Sequence, residues 1–524
     1  MATSRLTRRV GGRSPALVPS ASSQMAVRVE AVGPDRFGVV AVDCAKASSR
    51  WRLANFYGRI LIPPTTLTHR RVDVDATIAA VRQAQKTHRL KDLVVAVERT
   101  GRYHLHVKRG FTEAGFDVRI VDPLATHQYR KPAHAGTKTD DIDLEAIHKA
   151  AVHGFGLLLP EHPPELIWIR QWARHRRDLV IKTSRLRCQI HDSLHLMMPG
   201  FAALFDDIFE GKVALFVPLH YAGAAAIRKA GLDGLAATTR QAGVVCHRNT
   251  LVTIAAWAQQ ALDGDGPSAV CQAVVADLIN DFQTKQRAIA AAELAMAGEL
   301  VRTGYLVLLS MPGVNVVTAS ELAGELGPIT AYASARAITG RAGLYPSRYQ
   351  SGPVDHADGP LVRRGNRRLR AAILRIADTL LRCNDHFAVL GRTWEQQGVS
   401  KPAIHVRIGS RFCRVAFAML TGGLAYQHPG DGGRDYIIQK MIKFYQAHNV
   451  EINKTLTDLQ TAVTHLPPAT RAAEVPPLQA EQTRVAEKRG SGAARLRTIL
   501  TPVLETLSQL TVESKPSGES SLST

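Results

Sequence analysis

The chain of 524 residues is poor in cysteine and in long apolar runs, and each shortage excludes a class of protein. Its six cysteines are scattered and form no CxxC pair, so neither a disulfide framework nor a zinc site is favoured. Cys246 stands beside His247, but no second pair of metal ligands follows at a zinc-site spacing. No apolar run reaches the roughly 18 residues of a membrane-spanning helix. We therefore expect a protein of the reducing cytoplasm that has no membrane partner.

Acidic residues are too few to balance the basic ones. The chain has 66 Lys and Arg against 45 Asp and Glu, which gives a formal net charge of +21. A fold does not require this excess, whereas polyanions are attracted by it, so nucleic acid is the first partner to expect. The alternative is a protein that is merely basic. Residues 1–35 lack the apolar core of a secretory signal, and we expect a disordered basic arm there rather than a transit peptide.

Residues 36–155 alternate between strand and helix patterns. Two apolar runs, 37–43 and 93–98, have the length of buried strands, and each ends in a carboxylate. Residues 75–88 have helical spacing, and the acidic first turn of 139–153 is typical of the start of a helix. The alternation predicts an α/β domain over 36–155.

A helical region follows a Pro-rich break in the sequence. Over 166–198 apolar and aromatic side chains are interleaved with basic ones, among them Arg176, Arg177 and Arg185. We expect a helical or coiled-coil domain over 160–300. It is either a helical domain with a solvated basic face or a dimerising arm that also contacts nucleic acid through these arginines.

The remainder of the chain divides at about residue 428. Residues 306–428 have the periodicity of a compact, mostly helical domain. Residues 429–524 are expected to contain a helical extension, a linker at 466–495 with few large apolar residues, a last helix at 496–510 and a Ser-rich disordered tail.

Four carboxylates of the α/β domain fall where a site is expected. Asp43 and Glu98 end the two apolar runs, and ligand sites of open α/β sheets lie at such strand ends. Asp140 and Asp143 are three residues apart and share one face of a helix. Crowded carboxylates need a cation, and two Mg²⁺ ions roughly 4 Å apart can promote phosphodiester chemistry. Each carboxylate alone has a simpler structural explanation, and Asp122 is a reserve candidate.

The same residues carry a resemblance to a known family. Asp43, Glu98 within Val-Glu-Arg-Thr-Gly, and the segment Lys-Thr-Asp-Asp-Ile-Asp from Lys138 to Asp143 resemble the DEDD motif of transposases of the insertion-sequence 110 group. The resemblance implies a RuvC-like fold of the RNase H type, with Mg²⁺ bound by all four carboxylates. Lys138 is a candidate contact to nucleic acid. Leu144 stands where the family usually has alanine, which is a change in packing.

Two features of the third region favour nucleic acid. Pro312 and Gly313 form a turn before a helix that ends at Gly327. This is either a helix-hairpin-helix-like element that binds phosphate through free N–H groups or an ordinary helix pair. Five arginines begin a later helix without a neutralising acid, and such a block contacts phosphates well. The five are Arg363, Arg364, Arg367, Arg368 and Arg370.

Ser351 precedes a glycine in the polar loop just before these arginines. A serine hydroxyl can attack phosphorus if its proton is removed and the developing charge is stabilised. Residues 309–374 contain Pro-Gly, Ala-Gly-Leu-x-Pro and Gly-Asn-x-x-Leu-Arg and resemble the C-terminal domain of the same transposases. The resemblance implies that Ser351 is the nucleophile. It also implies a structured non-coding guide RNA that pairs with double-stranded donor and target DNA, and a homo-oligomer, dimer or tetramer, with shared active sites.

The expected function is therefore cutting and rejoining of DNA for a bacterial insertion sequence, in the cytoplasm at the nucleoid. Two alternatives remain open. One is a Holliday-junction resolvase or metal-dependent nuclease that uses water, which leaves Ser351 without a role. The other is a non-catalytic nucleic-acid-binding protein.

Overall fold

The computed structural model describes residues 21–130, 136–137, 139–154, 157–158, 163–265, 268–351, 354–356, 359–363, 365–426 and 433–466. Lys138, Arg364, the first 20 residues of the expected arm and everything expected beyond residue 466 lie outside these ranges. The chain divides into two compact units, 1–161 and 162–524. Each is described by itself.

The first unit is built on one mixed sheet. Its strands are β1 (Phe37–Cys44), β2 (Ser48–Asn55), β3 (Ile60–Thr68), β4 (Asp92–Glu98), β5 (Asp117–Val121) and β6 (Leu157–Leu158). Their order in the sheet is β3-β2-β1-β4-β5-β6. The first three strands are antiparallel neighbours, whereas β4 runs parallel to β1 and β5 runs parallel to β4. The carboxyl ends of β1 and β4 therefore meet at one edge.

Helices cover both faces of this sheet. They are α1 (Ala21–Val32), α2 (Arg71–Thr87), α3 (His104–Glu113), α4 (Pro123–Arg130) and α5 (Asp140–His153). Side chains of β1 alternate between the faces: Val40 and Val42 pack with α2 and α3, and Val39 and Ala41 pack with the other three helices. The expected α/β domain is confirmed, and its architecture is compatible with an RNase H-like fold.

The prediction that residues 1–35 form a disordered arm is wrong for residues 21–32. Residues 21–32 form α1, whose Met25 and Val29 are buried in the core beneath the sheet. These two apolar residues are four apart and therefore lie on one helix face. The composition of the segment does not reveal this spacing, so it did not predict the helix. Arg28 of the same helix pairs with Asp92, at 2.7 Å, and with Asp117, so its charge is neutralised inside the domain.

The second unit is almost entirely helical. Its helices are α6 (Pro164–Met197), α7 (Lys212–His220), α8 (Ala224–Gln241), α9 (Arg248–Gln260), α10 (Ser268–Leu300), α11 (Val316–Leu326), α12 (Ala335–Ala342), α13 (Arg367–Cys383), α14 (Asp385–Gln396), α15 (Lys401–Gly422), α16 (Gly433–Ala447) and α17 (Ile452–Thr464). Short 3-10 helices lie at Phe201–Leu204, Gly304–Ser310 and Ile329–Ala331. A small hairpin consists of β7 (Tyr349–Ser351) and β8 (Val354–His356). No helix in the described part of the chain is long and apolar enough to span a membrane.

The long helices α6 and α10 connect two separate cores. Leu166 near the start of α6 and Leu300 at the end of α10 share one core with α11 to α17. Leu194 near the end of α6 and Val275 near the start of α10 share the other core with α7 to α9. The two helices therefore run antiparallel. The expected boundary at 428 is corrected, because α16 is buried in the same core as α11 and α13.

Candidate active site

Asp43 and Glu98 lie side by side at one edge of the first unit's sheet. The parallel register of β1 and β4 ends with Val42 opposite Val97, and the next residue on each strand is one of the two carboxylates. Burial, together with the negative charge of Asp43, raises the pKa of Glu98 to about 7. Near neutral pH, therefore, the pair does not carry its full negative charge unless a cation compensates it.

Asp143 is a third member of this cluster. Thr139 caps the start of α5 by accepting a bond from the backbone N–H of Ile142, and Asp143 follows on the first turn, only 3% exposed. Its charge also raises the pKa of Glu98. The guanidinium of Arg130 donates to its Oδ1 at 2.5 Å. Three of the four expected carboxylates thus interact electrostatically, and one already has a cationic partner.

Asp140, the fourth, is exposed on the first turn of α5. The neighbouring Asp141 lies 3.6 Å from Arg50 of β2. Asp122, the reserve candidate, has a structural role, because its Oδ1 accepts the backbone N–H of Leu124 at 2.9 Å at the start of α4.

The carboxylates of the cluster are of the kind that bind a divalent metal ion. Within the described ranges no three Asp, Glu, His or Cys side chains are already arranged to hold one. The donors nevertheless fit Mg²⁺ in their chemistry, because carboxylate oxygens are its preferred protein ligands and repel each other without a cation. Arg130 supplies one positive charge beside Asp143. Sequence reasoning missed Arg130, since it ends α4 and belongs to no motif.

Ser351 lies on the exposed hairpin of the second unit. It ends β7, pairs in register with Val354 and is exposed to solvent. Among the described residues no side chain forms a hydrogen bond with its hydroxyl. The segments that flank the hairpin are held together, because the backbone N–H of Ser347 donates to the carbonyl of Pro360 at 3.0 Å and that of Val362 donates to the carbonyl of Tyr345 at 3.1 Å. The structure therefore presents the serine outward on an anchored hairpin.

The expected arginine block is only partly available for contacts. Arg363, Arg367 and Arg368 are exposed around the start of α13. Arg370 instead folds back, where its guanidinium donates to the backbone carbonyls of Ala342, at 2.8 Å, and Val362. A contact of Arg370 with nucleic acid stays a prediction, and its guanidinium already joins Val362 to the end of α12.

The start of α13 is fixed by a buried acid. Asn366 caps the helix, and its Oδ1 accepts the backbone N–H groups of Arg368 and Leu369 at 3.0 and 3.1 Å. Its Nδ2 donates to Glu325 at 3.0 Å, and Arg174 of α6 donates to both oxygens of the same carboxylate. The position of the exposed arginines thus depends on a polar chain that reaches α6.

The arginines expected on the helical arm have different environments. Arg176 is mostly buried and donates to Glu293 at 2.6 Å and to Glu321 at 3.3 Å, so its charge is already neutralised, and its contact to nucleic acid stays a prediction. Arg177 is half-buried, and its charge counters the rise in the pKa of Glu321 that burial causes. Arg185 is exposed.

The turn at Pro312 and Gly313 differs from a phosphate-binding loop. The side chains of Asn315 and Thr318 form a reciprocal capping box that occupies N–H groups at the start of α11. Helix α11 itself is buried, and Lys440 donates to carbonyls on both sides of the turn. The interpretation as an ordinary packed helix pair fits these contacts.

The described residues combine an α/β domain, with carboxylates clustered at its strand ends, and a helical domain that exposes a serine and several arginines. A DEDD transposase model of the IS110 group matches residues 40–199. A second model, described as transposase of the IS116/IS110/IS902 family, matches residues 305–390. The two matched regions support an IS110-family transposase.

Two curated relatives agree with this assignment. The chain is 25% identical over 256 residues to the insertion element IS110 uncharacterized 43.6 kDa protein of Streptomyces coelicolor, which covers 48% of this chain and 62% of that protein. It is 24% identical over 345 residues to a probable family 20 transposase of Pseudomonas aeruginosa, which covers 65% of this chain and 87% of that protein. The chain therefore matches less than two thirds of the Streptomyces protein's length.

Proposed function

We propose that this protein cuts and rejoins DNA strands for a mobile insertion sequence, with Ser351 as the nucleophile. The observation that carries the proposal is the crowding of Asp43, Glu98 and Asp143, which raises the pKa of Glu98 to about 7 and marks a site built for a cation.

The chemistry of the second unit complements this acidic site. The Oγ atom of Ser351 forms a bond to a DNA phosphorus and loses its proton, while the bond from phosphorus to the 3′ oxygen breaks and that oxygen leaves as a hydroxyl. The product is a 5′-phosphoserine link. Arg363, Arg367 and Arg368 lie exposed near the hairpin, where they can bind the phosphates on either side.

Magnesium is the ion we propose for the carboxylates. Asp43, Glu98 and Asp143 would hold it, with Asp140 on the same helix turn as a fourth ligand. When bound, Mg²⁺ supplies positive charge for the attacking and leaving oxygens. Glu98 would then be ionised at neutral pH, because the metal replaces the proton that it otherwise retains.

The family resemblance supports three further parts of the proposal. The sheet order β3-β2-β1-β4-β5 favours a RuvC-like domain. The excess of basic residues suits both double-stranded DNA and a structured guide RNA. We also propose a homo-oligomer that acts on the bacterial chromosome in the cytoplasm.

Replacement of Ser351 by alanine tests the proposal against hydrolysis by water. Wild-type protein, given Mg²⁺, the element's DNA ends and its RNA, is expected to form a covalent protein–DNA adduct that survives denaturation. Ser351→Ala should abolish both the adduct and strand cutting. Ser347→Ala is the matched control, because that hydroxyl of the same hairpin only donates to the carbonyl of Pro360. Cutting that persists in Ser351→Ala would refute the serine mechanism and favour a metal-dependent nuclease.

A further inference from the structure

A basic pocket lies at the edge of the first unit's sheet opposite to the carboxylates. It opens where β1 and β4 begin and where α2 ends, and its volume is about 590 Å³. Apart from Gln85 and Leu90, its lining is cationic. The five cationic residues are Arg36, Arg82, Lys86, Arg89 and Lys91.

These five cations have no acidic partners among the described residues. No Asp or Glu of that part of the chain lies within 4.0 Å of any of the five charged groups, and all five side chains are exposed. Other arginines of the same unit do have such partners: Arg28 pairs with two aspartates, and Arg119 pairs with Asp117. Five like charges around one cavity repel each other, so a bound anion would relieve this repulsion.

Arg89 occupies a backbone position that usually favours glycine. Its φ is +53°, in the left-handed region, directly after the C-cap of α2. The backbone N–H of Arg89 donates to the carbonyl of Lys86, and that of Leu90 donates to Gln85, which is the Schellman arrangement. Glycine would adopt this conformation without strain. An arginine here carries a local cost, and such a cost points to a use for the side chain.

We propose that this pocket binds the phosphodiester backbone of a nucleic acid strand, at a place separate from the carboxylates and from Ser351. Exposed Lys and Arg side chains without acidic partners suit backbone phosphates. Phe116 lies near one of them, but its ring already faces the guanidinium of Arg82, 5.8 Å from the ring centroid. The inference rests on the proposed function only in taking nucleic acid as the partner. DNA and RNA offer the same phosphate chemistry, and the experiment separates them.

The test compares two variants of the full chain that each lose three positive charges. The pocket variant carries Arg36→Gln, Lys86→Gln and Arg89→Gly. The control variant carries Arg59→Gln, Arg70→Gln and Arg71→Gln, which removes exposed cations of the same unit away from the pocket. Binding is measured by fluorescence anisotropy at several salt concentrations, with duplex DNA and with an RNA hairpin of unrelated sequence. Chelator replaces Mg²⁺, so the outcome does not depend on strand cutting.

The pocket variant should show a shallower slope of log affinity against log salt, by about 2 to 3, because each lost phosphate contact contributes roughly 0.7 to 0.9. The control variant should keep the wild-type slope. A change with RNA alone assigns the pocket to RNA, and a change with DNA alone assigns it to DNA. Equal losses in both variants, or no loss in either, would overturn the proposal. Arg89→Gly alone should not lower the thermal unfolding midpoint. A midpoint equal to that of the wild type would mean that any loss of binding in this variant is not caused by unfolding.

Discussion

Asn366 connects the exposed arginines of α13 to the interior of the second unit through one amide group. Its oxygen caps the helix, and its nitrogen donates to Glu325, which is only 5% exposed. In Asn366→Ala the cap is lost, which costs about 1 kcal/mol. The buried carboxylate also loses one of its donors, which costs about 1.5 to 3 kcal/mol. The free energy of unfolding should therefore fall by about 2.5 to 4 kcal/mol.

Asn366→Asp separates these two contributions. The aspartate keeps an acceptor for the helix N-terminus, but it removes the donor and places a second carboxylate beside Glu325. Because like charges about 4 Å apart repel by about 4 kcal/mol at an effective dielectric of 20, we expect this variant to be at least as unstable as Asn366→Ala. Guanidinium unfolding curves measure both. Asn315→Asp is the control, because Asn315 caps α11 from an exposed position. Wild-type stability in Asn366→Asp would refute the role of the amide donor.

Two further predictions concern packing and pH. Gly324→Ala should destabilise the protein by about 1 to 3 kcal/mol in calorimetry, because its Cβ would meet the backbone of Arg170 at 2.7 Å. Gly298→Ala, where the new Cβ meets nothing within 4 Å, should not, and equal effects would contradict the close approach of α11 to α6. Burial lowers the pKa of His148 from 6.5 to about 4. The unfolded chain therefore binds this proton first, and stability present above pH 6.5 should be lost by about 3 kcal/mol as pH falls to 4. His148→Gln should remove that part of the pH profile; an unchanged profile would contradict the assignment.

The elements around Asp43 and Glu98 could be predicted from the sequence because their signals are local. Each carboxylate ends an uninterrupted apolar run, and the parallel pairing of those runs follows from an intervening helix. Arg130 could not be predicted, because nothing near it in sequence reveals its pairing with Asp143. That contact depends on how α4 and α5 pack on the sheet.

The arginines show where reasoning from the sequence fails. Arg176 lies in a basic stretch, yet it is neutralised by Glu293 and Glu321, which are more than 100 residues away in the chain. Arg370 lies in a run of arginines, but its partners are backbone carbonyls, which no charge pattern records. Whether a cation is available to a ligand is decided by tertiary contacts between distant segments.

The length of α6 determines which of its side chains face each of the two cores of the second unit. Its 34 residues extend about 51 Å, with Leu166 in one core and Leu194 in the other. Insertion of one residue at its middle would turn the far half by about 100° and shift it by about 1.5 Å. Leu194 would then leave its own core, while the antiparallel α10 would keep the old register. Changes in length are therefore compatible with this pair only when both helices change together by nearly whole numbers of turns, such as about seven or about eleven residues.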